Sequence, residues 1–427
     1  MPWLFLFVSL IGAWLPYNAY RPVYAGTRRA ASSFFTGWLT TELALHHIAW
    51  QAVMTLIFMR AGALHAWPGR LGLLITLVSW VGLWRCYLRG RDAEVVVEQA
   101  LRAGLGPDYQ QQIAPDIHVQ LAPRVDWRQI VVPFPFRHPE VERIRDITFA
   151  RAAAIDLKLD IYRPRSRPTA CPTLLQIHGG GWVIGSKNEQ GIPLMMQLAS
   201  RGWVCVSANY RLSPHATFPD HLIDCKRALQ WIREHGAEYG ANPDFVVVTG
   251  GSAGGHLASL MALTANQREY QPGFEDVDTS LRGCVAFYGV YDFTDRFGQQ
   301  RHGGLADLLE KRVMKASLDE AREAYEKASP MSRVHPEAPP FFVIHGDQDT
   351  LVPVREAREF AALLRQHTRN PVVYAEIPGA QHAFEIFPSL RTTFVIHGVE
   401  RFLASVYSEY RAALRAAAPA PPVSAAG

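Results

Sequence analysis

The chain has 427 residues, more than a typical single domain, which predicts one large domain with an addition or two separate domains. Apolar residues make up 48% of the sequence, charged residues make up 19%, and the formal net charge is only +4. Because there is no lysine- and arginine-rich run and no basic stripe interleaved with aromatic residues, the patterns typical of nucleic-acid-binding proteins are excluded.

Three apolar stretches occupy the start of the chain, at about 1–20, 43–59 and 71–88. A bilayer-spanning helix needs about 20 mostly apolar residues, and the first and third stretches approach this length. Residues 1–90 are therefore predicted to form a membrane-spanning region of two or three helices, with the lipid bilayer as a partner. A signal peptide is one alternative, although a basic start and a cleavage site are lacking, and a soluble cap of buried helices is another.

Arginine is distributed unevenly around these stretches. If all three cross the membrane, the loop after the first stretch lies on the same side as the large C-terminal part, and that side carries more arginine. The positive-inside rule then predicts an integral membrane protein whose C-terminal domain faces the cytoplasm.

The pattern changes after a predicted linker at 91–143, in which 92–105 suggests a short helix. Residues 144–411 alternate strand-like and helix-like segments, which predicts a mostly parallel sheet with helices on both faces. A small cap is expected at about 290–335, and the Ala- and Pro-rich tail 412–427 is predicted to be disordered. The predicted strands are an opening antiparallel pair at 147–150 and 155–162, followed by 173–177, 203–207, 245–249, 284–288, 341–344 and 372–376.

The strongest motif is Gly-Gly-Ser-Ala-Gly-Gly at 250–255. It centres a GxSxG pattern on Ser252, follows the β-branched run 245–249 and precedes a helix-like segment. This strand–turn–helix setting is the one that a nucleophile elbow requires. Flanking glycines avoid clashes where strand and helix approach closely, and a helix N-terminus favours negative charge. Ser252 is therefore the candidate nucleophile, with a plain glycine-rich turn as the alternative.

A second motif, His-Gly-Gly-Gly-Trp at 178–182, follows the predicted strand 173–177. Successive glycines leave backbone N–H groups unobstructed, as the binding of a negatively charged oxygen requires. The amides of Gly180, Gly181 and Ala253 are predicted to form an oxyanion hole. A phosphate-binding loop is the alternative, but no Lys-Ser or Lys-Thr pair follows at P-loop spacing.

A serine nucleophile needs a base that a third group orients, and in this type of sheet the chain order is serine, acid, histidine. His382, after the predicted strand 372–376, is the candidate base. Asp349, after the strand 341–344, is the candidate acid. Asp347 is the alternative acid, although its position favours capping of the turn.

Several further motifs accompany these residues, namely NYRLSP at 209–214, FP at 218–219, Asp224 and HGDQDTLVP at 345–353. Together with HGGGW, GGSAGG and His382, they resemble the hormone-sensitive-lipase-like branch of the α/β-hydrolase esterases, also called α/β-hydrolase fold 3. The resemblance covers about 144–407. It implies an α/β-hydrolase fold, a Ser252–Asp349–His382 triad and hydrolysis of short- to medium-chain acyl esters. It implies no metal and no cofactor.

The chain departs from this branch in two respects. Gly251 precedes the nucleophile where the branch commonly has aspartate, and the apolar N-terminal region is not part of the usual catalytic domain. The predicted function is a serine carboxylic-ester hydrolase, an esterase or lipase, acting on a small lipophilic ester. HGGGW also occurs in kynurenine formamidase-like hydrolases, so an amidase is one alternative. An inactive membrane-tethered binding protein is another. The sequence sets no oligomeric state.

Overall fold

The computed structural model describes residues 1–24, 26–121, 125–134, 137–152, 155–298 and 304–417. Eight strands form one mixed sheet at the centre of the C-terminal part. They are β1 (Val141–Ala152), β2 (Ile155–Pro164), β3 (Cys171–Ile177), β4 (Val204–Ala208), β5 (Ala241–Gly251), β6 (Gly283–Phe287), β7 (Phe341–Gly346) and β8 (Val372–Ile377).

The strand order in the sheet is β1-β2-β4-β3-β5-β6-β7-β8. β1 pairs antiparallel with β2 and β2 with β4, whereas the remaining neighbours are parallel. The run Val246–Val248 in central β5 is fully buried, as expected for a β-branched strand covered by helices on both faces. The predicted mostly parallel sheet with an antiparallel start is confirmed, and it is consistent with an α/β-hydrolase fold.

The helices fall into an N-terminal group and a group that covers the sheet. The N-terminal group contains α1 (Pro2–Tyr20), α2 (Thr27–Glu42), α3 (Ala44–Arg60), α4 (Trp67–Leu105) and three short helices, α5 (Tyr109–Gln112), α6 (Pro115–His118) and α7 (Trp127–Val131). The second group contains α8 (Ile192–Ser200), α9 (Asp220–His235), α10 (Ala253–Leu263), α11 (Leu305–Leu308), α12 (Arg322–Ala328), α13 (Val354–His367) and α14 (Leu390–Ala417).

Helix α4 revises the predicted boundary between the apolar region and the linker. It is one continuous helix of 39 residues, so the helix suggested at 92–105 is confirmed, but it continues the third apolar stretch and does not stand alone in a linker. Ala93, Val97 and Leu101 on this half are fully buried in a cluster with side chains of the sheet and of α14. The sequence pattern missed this because an apolar stripe along a charged helix marks burial but not the partner that buries it.

Helix α2 was not predicted, because 27–42 contains charged and polar residues and was interpreted as a loop. Its Ala30, Phe34 and Trp38 are spaced by four residues and therefore share one face, which packs against the C-terminal domain. This spacing is the signal from which the helix could have been predicted.

Two helices, α1 and α4, are long and apolar enough to cross a membrane, judged by length and composition. The count rises to three if α2 and α3, which meet at a bend of 88°, are treated as one span. The second predicted stretch, 43–59, corresponds to α3, which at 17 residues reaches the length of a span only together with α2.

The predicted cap at 290–335 contains α11, a π-helical turn at Leu309–Met314 and α12. Leu309 and Val313 are buried against the core, and the Val313 carbonyl accepts a hydrogen bond from the Phe218 amide. At the other end of the domain, α14 continues to Ala417, so the first six residues of the predicted disordered tail are helical. Residues 418–427 lie outside the described residues.

Candidate active site

Ser252 lies at the sharp turn between β5 and α10. Its backbone has φ 59° and ψ −123°, a region that non-glycine residues rarely adopt and that is typical of strained functional turns. The turn is closely packed, since a Cβ atom on Gly254 would collide with the Ile177 carbonyl oxygen at the end of β3. Ser252 is partly exposed, whereas Gly251 and Ala253 on either side of it are buried. The strand–turn–helix context predicted for Ser252 is therefore present.

The HGGGW loop lies directly beside this turn. Gly180 has φ 106°, and a Cβ atom there would collide with the Ile184 carbonyl, so the loop conformation requires glycine. Among the described residues, no acceptor is hydrogen-bonded to the amides of Gly180, Gly181 and Ala253. Three backbone donors are therefore left available close to Ser252.

The loop is held by its two end residues, His178 and Trp182. The His178 ring stacks on Tyr210 at 4.3 Å between centroids, and the Tyr210 hydroxyl donates to the His178 carbonyl at 3.0 Å. Burial lowers the pKa of His178 to about 4, so this imidazole is neutral at pH 7. Trp182 Nε1 donates to His256 Nδ1 on α10 at 3.2 Å, which ties the loop to the helix that begins after Ser252.

His382 and Asp349 are brought together from two different loops. His382 Nδ1 lies 2.6 Å from Asp349 Oδ2, and both side chains are buried. The other carboxylate oxygen, Oδ1, accepts hydrogen bonds from the Leu351 amide at 2.8 Å and the Val352 amide at 2.9 Å. Burial opposes ionisation of Asp349, but the charges and hydrogen bonds of His382 and His345 hold its pKa well below the usual range. The carboxyl is therefore ionised next to His382.

Asp347, the alternative acid, has a different set of partners. Its Oδ1 accepts the Gly379 amide at 2.7 Å, and its Oδ2 lies 3.7 Å from Arg89 of α4. The structure thus places Asp349 on His382. Asp347 does not form the local cap expected for it, because it binds the Gly379 amide of the loop after β8, whereas the amides of its own turn donate to Asp349.

His345 supports the acid. Its Nε2 lies 3.2 Å from Asp349 Oδ2 and 3.0 Å from the Val352 carbonyl, and the side chain is fully buried. This histidine therefore orients the Asp349 loop.

Two aromatic residues that the sequence analysis did not single out flank His382. Tyr288, directly after β6, lies 4.5 Å from the His382 ring, and Phe34 of α2 lies 5.9 Å from it. Tyr288 follows a predicted strand and could have been suspected from that position. Phe34 could not, because nothing near it in the sequence carries chemistry.

All predicted site residues except those of the elbow follow the ends of strands β3, β7 and β8, and the elbow itself follows β5. Because these strands are parallel, their carboxyl ends meet at one edge of the sheet, where α/β proteins place their sites. Among the described residues, no group of three or more His, Cys, Asp or Glu side chains is placed to hold a metal ion. The site therefore combines a buried histidine–aspartate pair with a partly exposed serine at the same edge of the sheet.

Comparison with known proteins decides the family. The family model named BD-FAE matches residues 159–364. A protein of Mycobacterium tuberculosis, named Probable carboxylic ester hydrolase LipM, is 40% identical, and the alignment covers 95% of this chain and 94% of LipM. The chain belongs to the LipM family of carboxylic ester hydrolases. Because the alignment spans nearly all of both proteins, it extends beyond the α/β domain into the N-terminal region.

Two further relatives agree with this family. Esterase LipQ of the same organism is 42% identical over 65% of each protein. The solved structure of the thermophilic esterase Est2 of Thermogutta terrifontis, with propionate bound, has 26% sequence identity and a TM-score of 0.50, covering 66% of this chain and 97% of Est2. The protein is thus an α/β-hydrolase of the carboxylesterase type, and the relatives favour ester hydrolysis over the amidase and inactive alternatives. The closer assignment to the hormone-sensitive-lipase-like branch stays a prediction.

Proposed function

We propose that Ser252, His382 and Asp349 form the catalytic triad of a serine esterase. The observation that carries the proposal is the buried His382–Asp349 pair, with 2.6 Å between Nδ1 and Oδ2, at the sheet edge where Ser252 occupies its strained turn. Asp349 accepts the Nδ1 proton, which leaves Nε2 of His382 free to accept the proton of the serine hydroxyl.

In the acylation step, Ser252 Oγ bonds to the ester carbonyl carbon while His382 takes the hydroxyl proton. The carbonyl oxygen becomes an oxyanion, and His382 then transfers the proton to the departing alcohol as the ester C–O bond breaks. Water releases the acid from the acyl-enzyme by the same two steps, with His382 as base and then as acid. The ionised Asp349 stabilises the imidazolium that forms in each step.

The amides of Gly180, Gly181 and Ala253 are proposed to bind the oxyanion. This proposal is supported by two observations: none of the three amides donates to another described residue, and the loop of Gly180 and Gly181 packs against the turn that carries Ser252 and Ala253. Removal of one such donor typically costs about 100- to 1,000-fold in rate.

The proposed substrates are lipophilic esters with short- to medium-chain acyl groups. Leu308 of the cap lies close to Gly181, so an apolar side chain adjoins the oxyanion loop. The Est2 structure has propionate bound, which favours a short acyl group in a related site. The apolar N-terminal helices favour a substrate that partitions into lipid.

Covalent labelling tests the nucleophile. We expect a fluorophosphonate probe to label the full-length protein and mass spectrometry to locate the adduct on Ser252, with no label on Ser252→Ala. Matched butyrate ester and anilide substrates then measure the preference for ester. Absence of an adduct on the wild type, or equal labelling of Ser252→Ala, would overturn the proposed mechanism.

We further propose that α1, α3 and α4 each cross a membrane, with the catalytic domain on the cytoplasmic side, because three crossings put the segment after α1 and the chain after α4 on the same side. Large apolar side chains on these helices are exposed, including Trp3 at 65%, Phe7 at 59% and Val78 at 64%. A patch of this kind is rare on a soluble monomer and is covered in a bilayer. The segment after α1, which contains Arg28 and Arg29, shares a side with the catalytic domain because α2 contacts it, which supports the positive-inside argument.

Membrane extraction tests this location. We expect the protein to stay in the membrane pellet at alkaline pH and to be released only by detergent. A fluorescent protein fused to the C-terminus should be fluorescent, because it folds in the cytoplasm. Release of the enzyme by alkali alone would contradict insertion.

A further inference from the structure

Helix α2 lies across the two loops that carry the proposed acid and base. Near its start, the Ala30 carbonyl accepts a hydrogen bond from Thr350 Oγ1 at 3.1 Å, and Thr350 is the neighbour of Asp349. In its middle, Gly37 lies against the side chain of Gln381, the neighbour of His382. The helix therefore contacts both loops one residue away from the proposed triad.

The end of α2 is anchored by a buried ion pair. Glu42 pairs with Arg391 of α14, and the two side chains are 0% and 1% exposed. Ser389 Oγ donates to the same carboxylate at 2.6 Å. The helix is thus fastened to the catalytic domain along its whole length.

Gln381 connects the two loops below α2. Its Oε1 accepts the Thr350 amide at 2.8 Å and the His382 amide at 3.0 Å. By contacting Thr350 and Gln381, α2 therefore helps to set the distance between Asp349 and His382.

Phe34 places α2 in direct contact with the proposed base. Two aromatic rings lie close to the His382 ring, with Tyr288 at 4.5 Å and Phe34 at 5.9 Å between centroids. Phe34 is only 8% exposed and is itself held, because its ring stacks on Trp38 at 5.4 Å and Trp38 stacks on Phe387 at 4.9 Å. The Phe34 ring is therefore held in place by Trp38 and Phe387.

A ring in this place has a physical consequence for proton transfer. Asp349 holds the imidazole at one nitrogen, which leaves the ring free to tilt about that bond unless its faces and edges are packed. A general base must stay within about 0.5 Å and 10–20° of the productive geometry.

We propose that Phe34 is a positioning residue for His382, so that the N-terminal region is part of the active site and not only an anchor. This inference rests on the proposed triad and goes beyond it. Helix α2 lies between the helices proposed to insert into the membrane. Insertion of these helices is therefore coupled to the orientation of His382.

The test replaces the ring while retaining apolar volume. We expect Phe34→Leu, in the full-length protein in detergent, to lower kcat for p-nitrophenyl butyrate at least about 10-fold, with KM within about twofold, because a displaced base slows chemistry more than binding. Phe34→Tyr keeps the ring and is expected to restore kcat to within about threefold of the wild type. A role in folding alone would move the unfolding temperature but would not separate kcat from KM in this way.

Phe35→Leu is the matched control. Phe35 is the next residue of the same helix, is 56% exposed and contacts Phe34 at 4.8 Å, and we expect its replacement to change kcat less than about twofold. Circular dichroism at the assay temperature checks folding, and Phe34→Met replaces Phe34→Leu if the latter unfolds.

Three outcomes would overturn the inference: unchanged kcat in Phe34→Leu, an equal loss of kcat in Phe35→Leu, or an equal loss in Phe34→Tyr. Fluorophosphonate labelling separates this failure from that of the proposed function. If the wild type is labelled on Ser252 and Phe34→Leu has the same kcat as the wild type, only the role of Phe34 is refuted. If the wild type is not labelled, the triad itself is refuted.

Discussion

Replacement of Asp349 by asparagine is expected to lower kcat by about 10⁴-fold with little change in the fold. The reason lies in the two oxygens of the carboxylate. Oδ1 accepts two backbone amides, of Leu351 and Val352, so the amide oxygen of an asparagine takes that position and its NH2 group faces His382. A donor facing Nδ1 forces the imidazole proton onto Nε2, and His382 can then no longer accept the proton of Ser252.

The measurement is kcat for a soluble ester, with Asp347→Asn as the matched control. Asp347 is two residues away in the same loop and accepts the Gly379 amide at 2.7 Å, a bond that an asparagine oxygen can retain. We expect this control to keep kcat within about threefold, because the Gly379 bond is retained and the partly exposed ion pair with Arg89, at 3.7 Å, contributes little. Comparable losses in both variants would contradict the assignment of Asp349 as the acid.

Replacement of Glu42 by alanine is expected to destabilise the protein by about 3–5 kcal/mol. The substitution leaves the guanidinium of Arg391, 1% exposed, without its buried counter-charge, and removes the acceptor of the Ser389 hydroxyl. Thermal unfolding in detergent measures the loss, and because the pair joins α2 to α14, the activity should become more heat-sensitive in parallel.

The double variant Glu42→Met with Arg391→Met provides the control. It removes both charges and leaves apolar side chains of moderate size, and replacing a buried ion pair in this way is often close to neutral. We expect it to recover most of the stability lost in Glu42→Ala. A Glu42→Ala protein as stable as the wild type would show that the Glu42–Arg391 ion pair does not anchor α2 to the catalytic domain.

Much of the site could be predicted because each of its chemical groups belongs to a short motif at the end of a strand. The turn around Ser252 and the glycines of the HGGGW loop have a local steric requirement, which their sequence expresses directly. The sequence favoured Asp349 over Asp347 as the acid but could not decide between them, since both follow the same strand. The structure separates them by their partners, placing His382 on Asp349 and the Gly379 amide on Asp347.

The N-terminal region shows where prediction from the sequence ends. The apolar stretches and their lengths were evident, but helix α2 was interpreted as a loop, and the second half of α4 as a separate short helix in a linker. Both segments have mixed polarity because one face packs on the catalytic domain while the other does not. A polarity pattern records that a face is buried, but not which surface buries it.

The sequence by itself determined the alternation of strands and helices in the C-terminal domain, the strand–turn–helix setting of Ser252 and the loops that carry its candidate partners, because each depends on residues close together in the chain. Only the tertiary structure decided that α2 lies on the loops of the proposed acid and base and that Phe34 contacts His382. The hydrogen bond between Thr350 and Ala30 spans 320 positions, and the bond between Ser389 and Glu42 spans 347. Contacts over such separations arise from packing, and they leave no local pattern from which they could be predicted.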